Sequence, residues 1–293
     1  MLARLKLLLK NLKYISKSDL RKRHMFDLDI EDIFASILYY IPNASILRPD
    51  VKDRKETLEI LCNTEKSLAR FGDGELSIIC GKSIPFQEYD ALLAKRMIEI
   101  LKNNNDNLLV GINYWYFHPV FNPNQNKLSF DFSLFHMPKH RKNLMKFIDL
   151  SSTYCDAGFT GVRNTHNKEN DVFFEKIKTI WNNRNIVLVG CREAHNKLAY
   201  NLFENANAEN WIYVPNKNAF REYESILSKI KQYPKDYIII LMAGPTSKVL
   251  AYDLSSCGYR ALDLGHIAKS YDFYVKGTQL TVETEKNFWA PDL

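Results

Sequence analysis

The run Arg70-Phe71-Gly72-Asp73-Gly74-Glu75 gathers residue types that can hold a divalent cation and a phosphate. Asp73 and Glu75 are two apart, so on an extended backbone their carboxylates share a side and can converge on one hard cation, Mg²⁺ or Mn²⁺. Gly72 and Gly74 permit a sharp turn, and Arg70 is close enough to hold a phosphate at that cation. Such a layout suits a metal that bridges protein carboxylates and a nucleotide diphosphate. A glycine-rich turn with two solvated acids is the other reading of the hexapeptide.

Three further segments carry candidate chemistry. In Gly244-Pro245-Thr246-Ser247-Lys248 a buried strand runs into the start of a helix. There, free N–H groups and the helix dipole favour a phosphate, with Lys248 adding charge. It is not a P-loop, because the spacing of that motif is absent. In Asp263-Leu264-Gly265-His266 the histidine follows a strand and a glycine; it could complete a metal site, with Asp263 orienting it. Arg192, in the loop after Gly190, and Arg163 could each pair with a diphosphate, or equally serve surface ion pairs. The other histidines, His24, His118, His136, His140, His166 and His195, are read as showing no metal spacing.

These residues need elements to carry them. Ser67–Ala69, Leu108–Ile112, Asn185–Gly190, Trp211–Pro215, Tyr237–Ala243 and Tyr259–Leu264 read as short buried strands. Between or beside them, Ile30–Tyr40, Arg54–Thr64, Tyr89–Asn103, Phe173–Trp181, Lys197–Asn205, Ala219–Gln232 and Ser247–Cys257 read as helices. Alternation of this kind predicts an α/β fold: a Rossmann-like, mostly parallel sheet with helices on both faces, preceded by N-terminal helices. Ligands of such sheets sit beyond the carboxyl ends of the strands, where all the segments above fall. The aromatic, Asn- and Pro-rich stretch 113–140 reads as a long binding loop, suited to stacking on sugar rings.

Composition bounds the rest. Five scattered cysteines without a C-x-x-C pair argue against a disulfide framework and for a reducing compartment. Apolar runs are too short to span a bilayer, and Lys6 and Lys10 interrupt anything resembling a cleavable signal. Residues 1–23 carry eight Lys/Arg and one acid, a net +7 against +6 for the whole chain, so the remainder is near neutral. Leu2, Leu5, Leu8, Leu9 and Leu12 recur there at helical intervals. The segment reads as a basic amphipathic helix for an anionic membrane surface, the alternative being a helix packed on the body. Nucleic acid is not expected as a partner, because the bases interleave with leucine rather than with stacking aromatics. The expected division is an N-terminal extension, 1–50, and a single domain, 51–293.

Read jointly, Arg70–Glu75, Phe86-Gln87-x-Tyr89-Asp90, Gly244–Leu254 and Asp263-x-Gly265-His266-Ile267 resemble the GT-D glycosyltransferases, in the family's order over roughly residues 60–275. The resemblance implies a metal-dependent transfer of a sugar from a nucleotide diphosphate donor, commonly a UDP-sugar, within bacterial surface-glycan or adhesin glycosylation. In that family the D-x-E pair holds the metal, and Asp73 and Glu75 occupy it here. The loop Gly190–Phe203 departs from the family pattern: its glycines are gone and its arginine is displaced, although Asn218-Ala219-Phe220 survives downstream.

The expectation is therefore a nucleotide-sugar-dependent glycosyltransferase of hexosyltransferase type. Asp73, Glu75, Asp263 and His266 would take part in the chemistry, and Asp73, Glu75 and His266 would ligate Mn²⁺ or Mg²⁺. The nucleotide would be lined by Arg70, Gly72, Arg163, Arg192, Gly244, Pro245, Thr246, Ser247 and Lys248. The acceptor would be a glycan or lipid-linked saccharide, met at the inner face of a bacterial cytoplasmic membrane. A metal-dependent phosphoesterase and a non-catalytic nucleotide-sugar-binding module are the alternatives.

Overall fold

The computed structural model describes residues 38–40, 46–102, 105–119, 136–162 and 168–278. The basic segment 1–23, most of the helix expected over 30–40, most of the aromatic loop and Arg163 lie outside the described residues. The chain divides into two compact units, one of residues 1–51 and 113–153, the other of residues 52–112 and 154–293.

In chain order the strands are β1 (Asp50–Val51), β2 (Ser67–Phe71), β3 (Leu108–Ile112), β4 (Thr153–Asp156), β5 (Asn185–Gly190), β6 (Ala208–Tyr213), β7 (Ile238–Met242) and β8 (Arg260–Asp263). The helices are α1 (Arg54–Asn63), α2 (Asp73–Ile79), α3 (Ala91–Leu101), α4 (Met137–Leu144), α5 (Lys168–Lys178), α6 (Arg192–Asn196), α7 (Tyr223–Ile230), α8 (Thr246–Ser256) and α9 (Ile267–Lys276).

In the larger unit the strand order is β4-β3-β2-β8-β7-β5-β6, and each neighbouring pair is parallel. The chain steps outward from β2 to β3 and β4, then restarts at β5 on the other side and returns through β7 to β8. The reversal of direction falls between β2 and β8, where open α/β sheets leave a crevice at their carboxyl edge.

The strand residues alternate between two buried faces. Leu68, Ile186, Leu188, Ile238, Ile240 and Leu262 pack in one core with Leu58 and Leu61 of α1, Phe173, Phe174 and Ile177 of α5, and Ile267 of α9. On the opposite face α8 lies across β2 and β8, with α3 against it. Buried apolar side chains on both faces are what a parallel sheet requires, and each is worth about 1.5–3 kcal/mol relative to exposure.

Local signals fix the helix starts. Asp53 opens α1 through a reciprocal box, accepting from Glu56 N at 2.9 Å while Glu56 Oε2 accepts from Asp53 N at 2.9 Å. Asp90 caps α3 by accepting from Leu93 N at 2.9 Å. Two expectations are corrected. Residues 197–205 form turns, not a helix; the helix lies earlier, at Arg192–Asn196, where Cys191 Sγ accepts from Ala194 N. β4 and α4 were not anticipated, because Thr153–Asp156 is short and α4 begins inside an aromatic, proline-rich stretch.

The smaller unit has its own polar frame. Buried Arg141 of α4 donates to Tyr116 O at 2.6 Å and stacks over Tyr39 at 3.7 Å, and Arg48 donates to Phe117 O at 2.9 Å.

Candidate active site at the carboxyl edge

β2, β7 and β8 end side by side, and each delivers candidate residues within a few positions of its last strand residue. Arg70, the penultimate residue of β2, is spent on the protein itself. Its backbone N donates to Asp263 Oδ2 at 3.1 Å, Nε to Asp263 O at 2.7 Å, and one terminal nitrogen to Ala157 O and Thr160 Oγ1, each at 2.8 Å. The guanidinium thus ties the ends of β2 and β8 to the turn after β4.

Asp73 and Glu75 are not two steps along a strand. α2 begins at Asp73, so the two carboxylates leave a helix rather than an extended backbone. Asp73 is exposed and its Oδ1 accepts from Gly74 N at 3.0 Å. Glu75 turns inward: Oε2 accepts from Gly72 N at 2.9 Å, and Oε1 lies 2.8 Å from Lys248 Nζ. Both Glu75 oxygens are committed within the protein. In this arrangement the pair therefore does not fit an open two-carboxylate metal site.

Lys248, on the first turn of α8, lies 3.2 Å from Asp263 Oδ2 and donates to Gly244 O at 3.1 Å. Burial disfavours its charge, but Asp263 and Glu75 outweigh this, so its pKa stands above the ordinary lysine value. Arg70, Lys248, Asp263 and Glu75 form a buried cluster of two cations and two carboxylates, neutral overall. Asp263 itself is fully buried.

Around the cluster the loops are shaped by two left-handed glycines, Gly244 and Gly265, each at φ +55°. A Cβ on Gly265 would collide with the Arg70 guanidinium. α8 starts at Thr246, with no side-chain cap. Thr246 Oγ1 is buried without a hydrogen-bond partner, and Ser247 Oγ accepts from Ala243 N at 2.9 Å. His266 precedes α9 and meets the Phe86 ring at 5.5 Å between centroids. Phe86 is held in turn by Asn218, a left-handed residue whose N donates to Phe86 O at 2.9 Å and whose side chain accepts from Glu88 N at 2.7 Å. Phe86 and Asn218 entered the sequence reading only through the family motifs; their mutual clamp is a tertiary contact that no spacing reveals.

Arg192 lies elsewhere on the edge, on α6 after β5, stacked over Tyr213 at 3.7 Å. Asp253 sits toward the far end of α8. There it pairs with Arg96 at 2.6 Å and accepts from the Tyr223 hydroxyl.

One histidine reading is corrected. His136 and His140 are one helical turn apart at the start of α4, with rings 4.3 Å between centroids. Two imidazoles at this i, i+4 spacing are a donor pair compatible with a divalent metal, and the spacing was visible in His136-Met137-Pro138-Lys139-His140. Pro138 hid it, by making the segment read as loop.

The family model for the glycosyltransferase GT-D fold matches residues 68–291. The chain belongs to that family. Among GT-D relatives, glycosyltransferase GlyD of Streptococcus pneumoniae serotype 4 is 29% identical over 242 residues, 80% of this chain and 28% of the relative. A probable glycosyl transferase, Gly, of Streptococcus gordonii is 29% identical over 240 residues, 76% of this chain and 32% of the relative. The chain thus spans about a third of the length of the curated relatives it matches. Among solved structures, a conserved domain of unknown function with a distinct glycosyltransferase fold superposes with TM-score 0.74 at 29% identity, covering 85% of this chain and 88% of that one. A glycosyltransferase from Streptococcus sanguinis superposes with TM-score 0.72 at 28% identity, covering 83% and 93%. The GT-D resemblance and the Rossmann-like α/β architecture expected from the sequence are both borne out.

Proposed function

We propose that this GT-D chain is a glycosyltransferase that moves a sugar from a nucleoside diphosphate donor, a UDP-sugar, to a glycan or lipid-linked saccharide. The reading is supported chiefly by the convergence of the β2, β7 and β8 ends on one edge at the point where the strand order reverses. The diphosphate would lie at the start of α8, where the Gly244 turn lets the backbone approach and the Thr246 hydroxyl needs a partner. Lys248 and Arg70, balanced by Asp263 and Glu75, would act from beneath by holding the ends of β2 and β8 and the start of α8 in fixed positions.

The reading includes a requirement for Mn²⁺ or Mg²⁺, which when bound neutralises a departing diphosphate. Asp73 would meet the ion from its exposed position, and His266 would approach from the β8 side. Glu75 would join only by releasing Lys248. Asp263 is then a positioning residue, acting through Arg70 and Lys248. Arg163 and Arg192 would add contacts to the donor. Among the described residues no helix is long and apolar enough to cross a membrane. The basic, leucine-periodic segment 1–23 would bring the enzyme to the inner face of a membrane that carries the acceptor.

The test is release of free nucleotide from UDP-, GDP- and CMP-sugars, with Mn²⁺ and with chelator. Metal-dependent release from one donor, abolished by Asp73→Asn, is the expected result. Hydrolysis of a generic phosphate ester with no turnover of any nucleotide sugar would overturn the reading in favour of a phosphoesterase.

A further inference from the structure

β6 is the outer strand of the larger unit's sheet, yet it carries Trp211 and Tyr213, two residues apart and hence on one face. Their rings are nearly parallel, 14° apart and 5.5 Å between centroids. His195 of α6 stacks on Trp211 at 3.9 Å and 8°, and its Nδ1 lies 2.9 Å from the Tyr213 hydroxyl. Arg192, also on α6, covers Tyr213 at 3.7 Å. Four planar groups from α6 and β6 therefore make one layered block.

The block leans over the carboxyl edge. Trp211 Cζ3 is 3.5 Å from where a Cβ on Gly190 would sit, and Met242 Cε is 3.6 Å from the same point. The indole thus rests against the glycine that ends β5, beside the last residue of β7, two residues before Gly244. Trp211 also packs against the main core, so its inner side is closed. Arg192 is exposed and His195 half-buried, so the outward layer is a guanidinium and an imidazole. Burial lowers the His195 pKa below its ordinary value, against the opposing pull of Glu209 and with Arg192 acting in the same direction as burial.

We propose that the Arg192–His195 layer, backed by Tyr213 and Trp211, is the platform on which the base of the nucleotide donor stacks. The chemistry selects a base over a sugar ring. Saccharides pack their C–H faces on bare indole or phenol, whereas here those faces already carry nitrogen-rich planar groups. Guanidinium and imidazole planes stack readily on nucleobases and offer N–H groups at their edges. The inference rests on the nucleotide-donor reading above and deepens it by assigning the base-binding end of the site.

The test is calorimetric titration of the full chain with UDP, GDP and, separately, inorganic pyrophosphate, each with Mn²⁺. Wild type is compared with Arg192→Ala, His195→Ala and the double variant; Arg192 is exposed, so its removal leaves the core intact. The expected result is a loss of about tenfold or more in affinity for the nucleoside diphosphate, with pyrophosphate affinity unchanged within about twofold. In parallel, nucleotide should quench tryptophan fluorescence in wild type and fail to do so in Trp211→Phe. Equal nucleotide affinity in wild type and Arg192→Ala/His195→Ala, or quenching that survives Trp211→Phe, overturns the platform while leaving the donor reading intact. Wild type that binds pyrophosphate but no nucleotide also overturns it. Wild type that binds neither defeats the donor reading itself, and the platform with it.

Discussion

Lys248 Nζ lies 2.8 Å from Glu75 Oε1 and 3.2 Å from Asp263 Oδ2, so a buried ammonium joins two carboxylates delivered by different elements. Glu75 comes from the start of α2 and Asp263 from the end of β8, while Lys248 rises from α8, which lies across β2 and β8 on one face of the sheet. The cluster is the fixed frame on which the proposed donor site is built.

Removing that ammonium leaves two carboxylates with Arg70 as the one remaining cation of the cluster. Lys248→Met is expected to destabilise the protein by about 3–5 kcal/mol, as for other broken buried ion pairs. Urea denaturation would measure it. The double variant Lys248→Met/Glu75→Gln should recover part of the loss, because one of the stranded charges is gone; no recovery would mean that the pair is not coupled.

Gly265 and Gly258 offer a matched comparison. Both have positive φ, +55° and +82°, so alanine strains the backbone at either. At Gly258 the new methyl would meet only the Lys235 side chain, at 3.8 Å, and a cost of about 1 kcal/mol is expected. At Gly265 it would also displace the Arg70 guanidinium from Asp263, Ala157 and Thr160. The expected cost of Gly265→Ala is about 2 kcal/mol or more, with nucleotide binding impaired as well. Equal melting temperatures for the two variants would contradict the role given to Arg70.

The cysteines give a pH-dependent signature. Burial pushes the Cys155 thiol up to about 12, whereas Cys80 is exposed. The folded value of Cys155 lies above the ordinary 9.0, so its neutral thiol contributes stability that is present below pH 9 and lost as pH rises toward 12. At pH 8 a thiol reagent should label Cys80 rapidly and Cys155 only after denaturation. Prompt labelling of Cys155 in folded protein would contradict its place in β4.

Much of this was legible in the sequence because parallel strands advertise themselves as apolar runs: Leu108–Ile112 was read to the residue, and Ile238–Met242 to within one at each end. The three carboxyl-edge segments were legible for the same reason, since each follows such a run. What the sequence could not show was the backbone state at Asp73, where helix entry parts Asp73 from Glu75, or the partner that turns Glu75 inward. That partner is 173 positions away, at Lys248. Arg70 was read as facing a ligand because its acceptors at Ala157 and Thr160 lie 87 and 90 positions away. The His195–Trp211 stack escaped notice because its members come from a short helix and an edge strand, each unremarkable alone.

The most direct test of the central claim is thermal stability of the intact protein titrated with UDP, GDP and CMP, with Mn²⁺ and with chelator, in wild type and Asp73→Asn. Asp73 is exposed, so the variant should fold like wild type. The account predicts stabilisation by one nucleotide that needs the metal, amounting to about 2.7 kcal/mol at a hundredfold excess over Kd, and its loss in Asp73→Asn. Folded wild-type protein that gains no stability from any nucleotide, with or without metal, would contradict it.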